Sequence, residues 1–214
     1  MALDPREFEQ FLTNARTKLM GASDAGIRAE VYDVMKEFFT DSNAWREDIE
    51  FQAVAATTDY LLIPKANGQI IRLVGTWDDK GISVPSFMAE FGTLKLLHAP
   101  DSTPAAKWFS RVVKTVTLPT TRENVPIAPD RTLRVYSVTI LDGLLGKMML
   151  QEAKSYSNTS TGTYHLKRFR QGIKVARTEA EGANLVGAQS WAFPRFAGGS
   201  QRGGVSTAWP TRVF

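Results

Sequence analysis

Two histidines, His98 and His165, stand in the 214-residue chain, and there is no cysteine. Neither histidine has a partner at a metal-ligating spacing. No His-x-x-x-His or His-x-x-Glu occurs, so a metal site of the usual kind has no donors. Without cysteine there is no disulfide and no thiolate nucleophile. General acid–base work would use paired carboxylates, and Asp78-Asp79 is such a pair. Lys80-Gly81 follows directly, however, and the four residues read as a turn. Asp59 is equally isolated. No Gly-x-Ser-x-Gly elbow occurs, and the run Gly198-Gly199-Ser200-Gln201-Arg202-Gly203-Gly204 lacks the Lys-Ser/Thr of a phosphate loop. The expectation is a protein that is not an enzyme and uses no metal or cofactor.

One segment could hold a polyanion. Residues 164–177 mix Tyr164, His165 and Phe169 with five cations, and on a helix Lys167, Arg170, Lys174 and Arg177 recur every three to four residues. Three readings stay open. The stripe could bind nucleic acid, it could be a solvated face whose long side chains cover an apolar seam, or it could meet an acidic surface on an adjacent copy. The chain itself carries such acidity. Residues 1–50 hold six basic against eleven acidic side chains, a net of −5, and the chain from residue 164 onward holds eight against two, a net of +6. That asymmetry suits head-to-tail contact between copies or contact with a polyanion.

The elements that would position these residues follow from periodicity and punctuation. Asp4-Pro5-Arg6-Glu7 is a helix start, with Asp4 as cap, Pro5 at the first helical position and Glu7 placed for a capping box. Phe8, Phe11, Leu12, Ala15 and Leu19 make one face of that helix, and Met20-Gly21 ends it. Ser23 caps a second helix with Ile27, Val31, Val34, Met35 and Phe38 inward, and Asp41-Ser42-Asn43 stops it. From about residue 49 the period changes. Ile49, Phe51, Ala53 and Ala55 alternate with more polar neighbours. Residues 60–64 and 69–74 flank Asn67-Gly68 and read as a hairpin. Residues 111–118 read as a returning strand, with Val112, Val116 and Leu118 on one face and Val113, Thr115 and Thr117 on the other.

A third helix starts near Asp130 and carries Leu133, Tyr136, Ile140, Leu144 and Met148 on one stripe. Gly143 and Gly146 lie within it at a cost of about 1 kcal/mol each against alanine. They mark either close helix packing, including by a neighbouring subunit, or a kink. A polar turn over 154–162 leads to a fourth helix that buries Tyr164, Phe169, Ile173, Ala176 and Ala180. The predicted fold class is α+β: an antiparallel bundle of four main helices with a β-rich insertion between helices 2 and 3 and an extended C-terminal arm. The expected divisions are an N-terminal helical hairpin (1–48), the β-rich insertion (49–129), a C-terminal helical hairpin (130–186) and the arm (187–214).

The arm holds no acidic residue, two Gly-Gly joints, five large aromatics (Trp191, Phe193, Phe196, Trp209, Phe214) and three arginines (Arg195, Arg202, Arg212). Trp, Phe and Arg are typical anchors on a partner surface. The acidic, helical N-terminus does not fit a secretory signal, and no run of eighteen apolar residues occurs, so no membrane partner is expected.

The order of parts resembles the head-to-tail adaptor proteins of tailed bacteriophages, also called head completion or connector proteins. The likeness rests on two N-terminal helices ending in Phe38-Phe39 and Trp45, and on Asp59-Tyr60-Leu61-Leu62-Ile63-Pro64 in the β region. It rests further on Leu141-Asp142-Gly143-Leu144-Leu145-Gly146-Lys147-Met148-Met149 and on the turn from Gln151 to Asn158. That turn is similar to the family's Pro-Ala-Lys-Pro-Tyr/Trp-Ser-Asn, with Glu152 and Ser155 where prolines are common. The resemblance implies a structural virion protein at the neck, assembled in the host cytoplasm as a closed ring of about twelve copies. It implies partners in the portal protein, gripped by the arm, and in a tail or nozzle protein, with DNA passing through the channel. Two other functions compete: a nucleic-acid-binding module built on the basic helix, and a tail-tube or nozzle component.

Overall fold

The computed structural model describes residues 3–64, 68–90, 92–117, 125–129 and 131–182. The elements run α1 (Pro5–Lys18), α2 (Asp24–Ser42), β1 (Arg46–Phe51), β2 (Asp59–Leu61), β3 (Gln69–Trp77), β4 (Ser83–Val84), β5 (Ser86–Glu90), β6 (Thr93–Leu96), β7 (Trp108–Thr115), α3 (Arg131–Met149) and α4 (Thr159–Gly182). The chain divides into two compact units, Met1–Ala180 and Glu181–Phe214. Only Glu181 and Gly182 of the second are among the described residues.

Helix starts follow their caps. The Asp4 carboxylate accepts from the Arg6 N–H at 2.9 Å with Pro5 next in line, and the Ser23 hydroxyl accepts from the Gly26 N–H at 3.2 Å. Glu7 reaches across to Arg134 of α3, 2.8 Å away. Asn43 ends α2 in the left-handed region at φ 55°, which asparagine tolerates better than most residues. The expected cap of α3, Asp130, falls outside the described residues, and the helix runs from Arg131. The turn before α4 is shorter than its polarity suggests, because Asn158 accepts from the Thr161 N–H at 3.1 Å and the helix begins at Thr159.

A helical bundle with a β-rich insertion is not what forms. The β region is two antiparallel sheets with seven strands among the described residues, in the orders β1-β7-β3-β4 and β2-β6-β5. It has a core of its own around Ile49, Phe51, Tyr60, Leu94 and Val112. The helices and β7 share another, around Phe8, Phe38, Trp45, Val116, Leu144 and Phe169. The physical reason is the position of α2. Val34 on one side packs at Gly143 of α3, while on the other the Lys36 carbonyl accepts from the Thr115 hydroxyl at 3.3 Å. The sheet therefore takes a flank of α2 that a four-helix bundle would leave free.

The hairpin around Asn67-Gly68 is also corrected. β2 pairs with β6 (Tyr60 opposite Leu94), and β3 pairs with β7 and β4. Pro64 cannot donate to a ladder. The Tyr60 hydroxyl meets the 54–57 turn instead, donating to the Thr57 carbonyl at 2.9 Å. The returning strand has no solvent face, since every residue from Val112 to Val116 is buried between β1, β3 and α2. The Asp78-Asp79 pair is a turn. The Asp78 carboxylate accepts from the backbone of Lys80 and Ile82, and Gly81 adopts φ +78°.

Candidate assembly surfaces

Two glycines and an aspartate join α3 to α4. A Cβ on Gly143 would lie 2.6 Å from Val34 and 2.8 Å from the Phe169 ring, and one on Gly146 would lie 2.9 Å from the Leu166 backbone nitrogen. The close approach comes from α2 and α4 of the same chain. Two further glycines, Gly162 against the Gly146 carbonyl and Gly172 against Thr139, extend the seam. Between them Asp142 is buried, with its Oδ1 2.7 Å from His165 Nδ1 and its Oδ2 3.1 Å from Arg168 Nε. A buried carboxylate needs such partners, and these two fix which face of α4 turns inward.

That inward face runs Gly162, Leu166, Phe169, Ile173 and Ala176 at steps of three and four. Tyr164 does not belong to it. It stands 56% exposed, with the Arg168 guanidinium 5.8 Å from its ring. The step from 164 to 169 is five residues, which a helix does not keep on one side. Ala180 is half-buried.

The outward face of α4 carries Lys167, Arg170, Lys174 and Arg177, all exposed. Among the described residues Lys167, Arg170 and Lys174 take no ion pair. A matching acidic line lies on α2, formed by Glu30, Asp33, Glu37 and Asp41. Asp33 and Asp41 are exposed, and Lys147 of α3 stands 3.8 Å from Glu30 and 2.8 Å from Glu37. No family model matches the sequence, and no curated protein matches it. The surfaces are therefore read on their own chemistry.

A third surface is apolar. The three-stranded sheet turns Tyr60, Leu94 and Leu96 inward, and alternation sends Leu61, Ile63, Phe87 and Leu97 outward, between 45% and 71% exposed. Asp59 and Lys95 pair at 3.7 Å across the same face.

The sequence reading missed Asp142–His165–Arg168 as a unit. Its signal was an acid within an apolar stripe, with His165 and Arg168 three apart on the next helix. Lys114 was also missed. It is wholly buried, 2.7 Å from Glu47 and 4.6 Å from the Trp45 ring centroid. Alternation along β7 gives no warning of a buried lysine. Among the described residues no three His, Cys, Asp or Glu are grouped to hold a metal ion, and no helix is long and apolar enough to cross a membrane. His98 is exposed in a loop. The arm residues Trp191, Phe193, Arg195, Phe196, Arg202, Trp209, Arg212 and Phe214 lie outside the described residues.

The turns of the two helical pairs meet. The Ser155 hydroxyl donates to the Met20 carbonyl at 3.1 Å. A proline there could not make this bond.

Proposed function

We propose that the protein is a structural component of a tailed-phage neck, a head-to-tail adaptor that assembles with copies of itself and docks on the portal through residues 187–214. The observation that carries this reading is the division of labour on α4. One face is committed to α3 through glycines and a buried carboxylate, and the other carries four exposed cations. The motifs quoted above supply the family, and the aromatic, acid-free arm supplies the grip. The arm would order on an assembled portal and lose its conformational entropy there, which makes assembly sequential.

The test is deletion of residues 198–214, which leaves the unit Met1–Ala180 intact. The shortened chain is expected to keep the helical circular dichroism of the parent and to lose its place on DNA-filled heads. A shortened chain that still joins filled heads overturns the proposal. A nucleic-acid-binding module is the second reading, favoured by the same exposed cations. It calls for duplex affinity that falls steeply with salt, whereas the arm contact depends chiefly on Trp191 and Trp209.

A further inference from the structure

The two charged lines have matching geometry. Glu30, Asp33, Glu37 and Asp41 advance by three, four and four residues, and Lys167, Arg170, Lys174 and Arg177 by three, four and three. At 100° per residue each set stays within about 80° of one helix face, and at 1.5 Å per residue the lines are about 16 and 15 Å long. The acidic line is incompletely neutralised. Lys147 is the one cation paired to it among the described residues, and Asp33 and Asp41 are exposed without a partner there. No ion pair joins Lys167, Arg170 or Lys174 to the acidic line within the described residues of the chain. Lys167, Arg170 and Lys174 on one line and Asp33 and Asp41 on the other are therefore exposed charges of opposite sign.

We infer that the Lys167–Arg170–Lys174–Arg177 face of α4 in one copy seats on the Glu30–Asp33–Glu37–Asp41 face of α2 in a second copy. This rests on the assembly reading above and names the surfaces that perform it. The contact is heterologous: each copy offers a different patch at either end, so repetition gives a closed ring or an open chain according to the rotation between copies. Duplex DNA competes for the basic line only. A second copy explains both lines with one contact.

The experiment is a charge swap on the full chain, read by sedimentation velocity at low and high ionic strength. One variant carries Asp33→Lys and Asp41→Lys, and the other Lys167→Glu and Lys174→Glu. All four side chains are exposed, and circular dichroism confirms that each variant folds. The wild-type chain is expected to associate at low salt and to disperse at high salt. Each variant alone should associate at least about tenfold more weakly, because like charges then face each other. An equimolar mixture should recover association, since the reversed, now basic α2 face of the first variant meets the reversed, now acidic α4 face of the second, and the unchanged α4 face of the first meets the unchanged α2 face of the second. The same four changes in a single chain should recover it too. Three results overturn the inference: a wild type that stays monomeric at low salt, a single variant that associates like the wild type, or a mixture that fails to recover. Loss of duplex retention by Lys167→Glu/Lys174→Glu with association unchanged overturns it as well, and assigns the basic face to nucleic acid. Portal docking is read separately by the arm deletion. A chain that swaps charge as described but ignores the portal removes the adaptor reading and leaves this contact standing.

Discussion

The Glu30 carboxyl is held above the usual carboxylate range, first by burial on α2. Lys147 at 3.8 Å pulls it down, and Asp33 and Glu37 push it further up. A carboxyl raised in this way binds its proton more tightly folded than unfolded. Its ionisation therefore costs stability, in full above the folded value, and the cost disappears as pH falls below the unfolded value. Glu30→Gln keeps the shape without the charge. The variant should melt at a higher temperature than the wild type at neutral pH, and the two curves should converge as pH drops through the carboxylate range. A gap that stays constant with pH would show that burial and the Lys147 attraction cancel, and a less stable variant at neutral pH that the attraction outweighs burial. Asp48 is the opposite case. The Arg111 guanidinium, 2.6 Å away, holds its carboxyl below the usual range, so its contribution is present at neutral pH and is lost on acidification. Side chains of this kind were hard to read in advance. Asp48 and Arg111 are 63 positions apart and meet because β1 and β7 pair, and Asp142 meets His165 because two helices cross.

At the scale of elements, the glycines of α3 set the sign of a substitution. In an isolated helix Gly143→Ala would gain about 1 kcal/mol. Here the added methyl would press on Val34 and Phe169, both fully buried, and overpacking of that kind costs about 1–3 kcal/mol. The expected outcome is a net loss of about 1 kcal/mol in urea unfolding, the difference of those two terms. A gain in stability would mean that α4 can move outward without penalty. The helices themselves were legible because each carries local instructions: Asp4-Pro5, Ser23, Asn43, and apolar residues three and four apart. Strand partners were not, because pairing is non-local. Residues 60–64 and 69–74 look like hairpin arms, yet β2 finds β6 and β3 finds β7. The strands β5 and β6 are short, and the alternation in Ser86–Glu90 and Thr93–Leu96 is too brief to stand out from a loop. Tyr164 was misplaced because aromatic character was weighed ahead of the spacing from Gly162 and Phe169.

Across the unit Met1–Ala180, the two hydrophobic cores are tied by one stretch of chain. Val112 belongs to the β core and Val116, just beyond β7, to the helical core. β7 also lies between β1 and β3, and the Tyr32 hydroxyl of α2 donates to the Val116 carbonyl at 3.5 Å. Neither core can loosen without disturbing that stretch, so the unit should unfold in one step. Val116→Ala tests this from the helical side. Removing two buried methylene equivalents and leaving a void costs about 2 kcal/mol. The urea midpoint should fall by the same amount whether it is followed by helical circular dichroism or by amide exchange in β1 and β3, neither of which touches the helical core through its own apolar side chains. If only the helical signal moved, the cores would be independent folding units and β7 merely a shared boundary. Coincident shifts would instead make the helices and sheets one cooperative body. A copy-to-copy contact through α2 and α4 would then be felt in the sheets, because stabilising the helices by association would raise the protection of β1 and β3 by the same free energy.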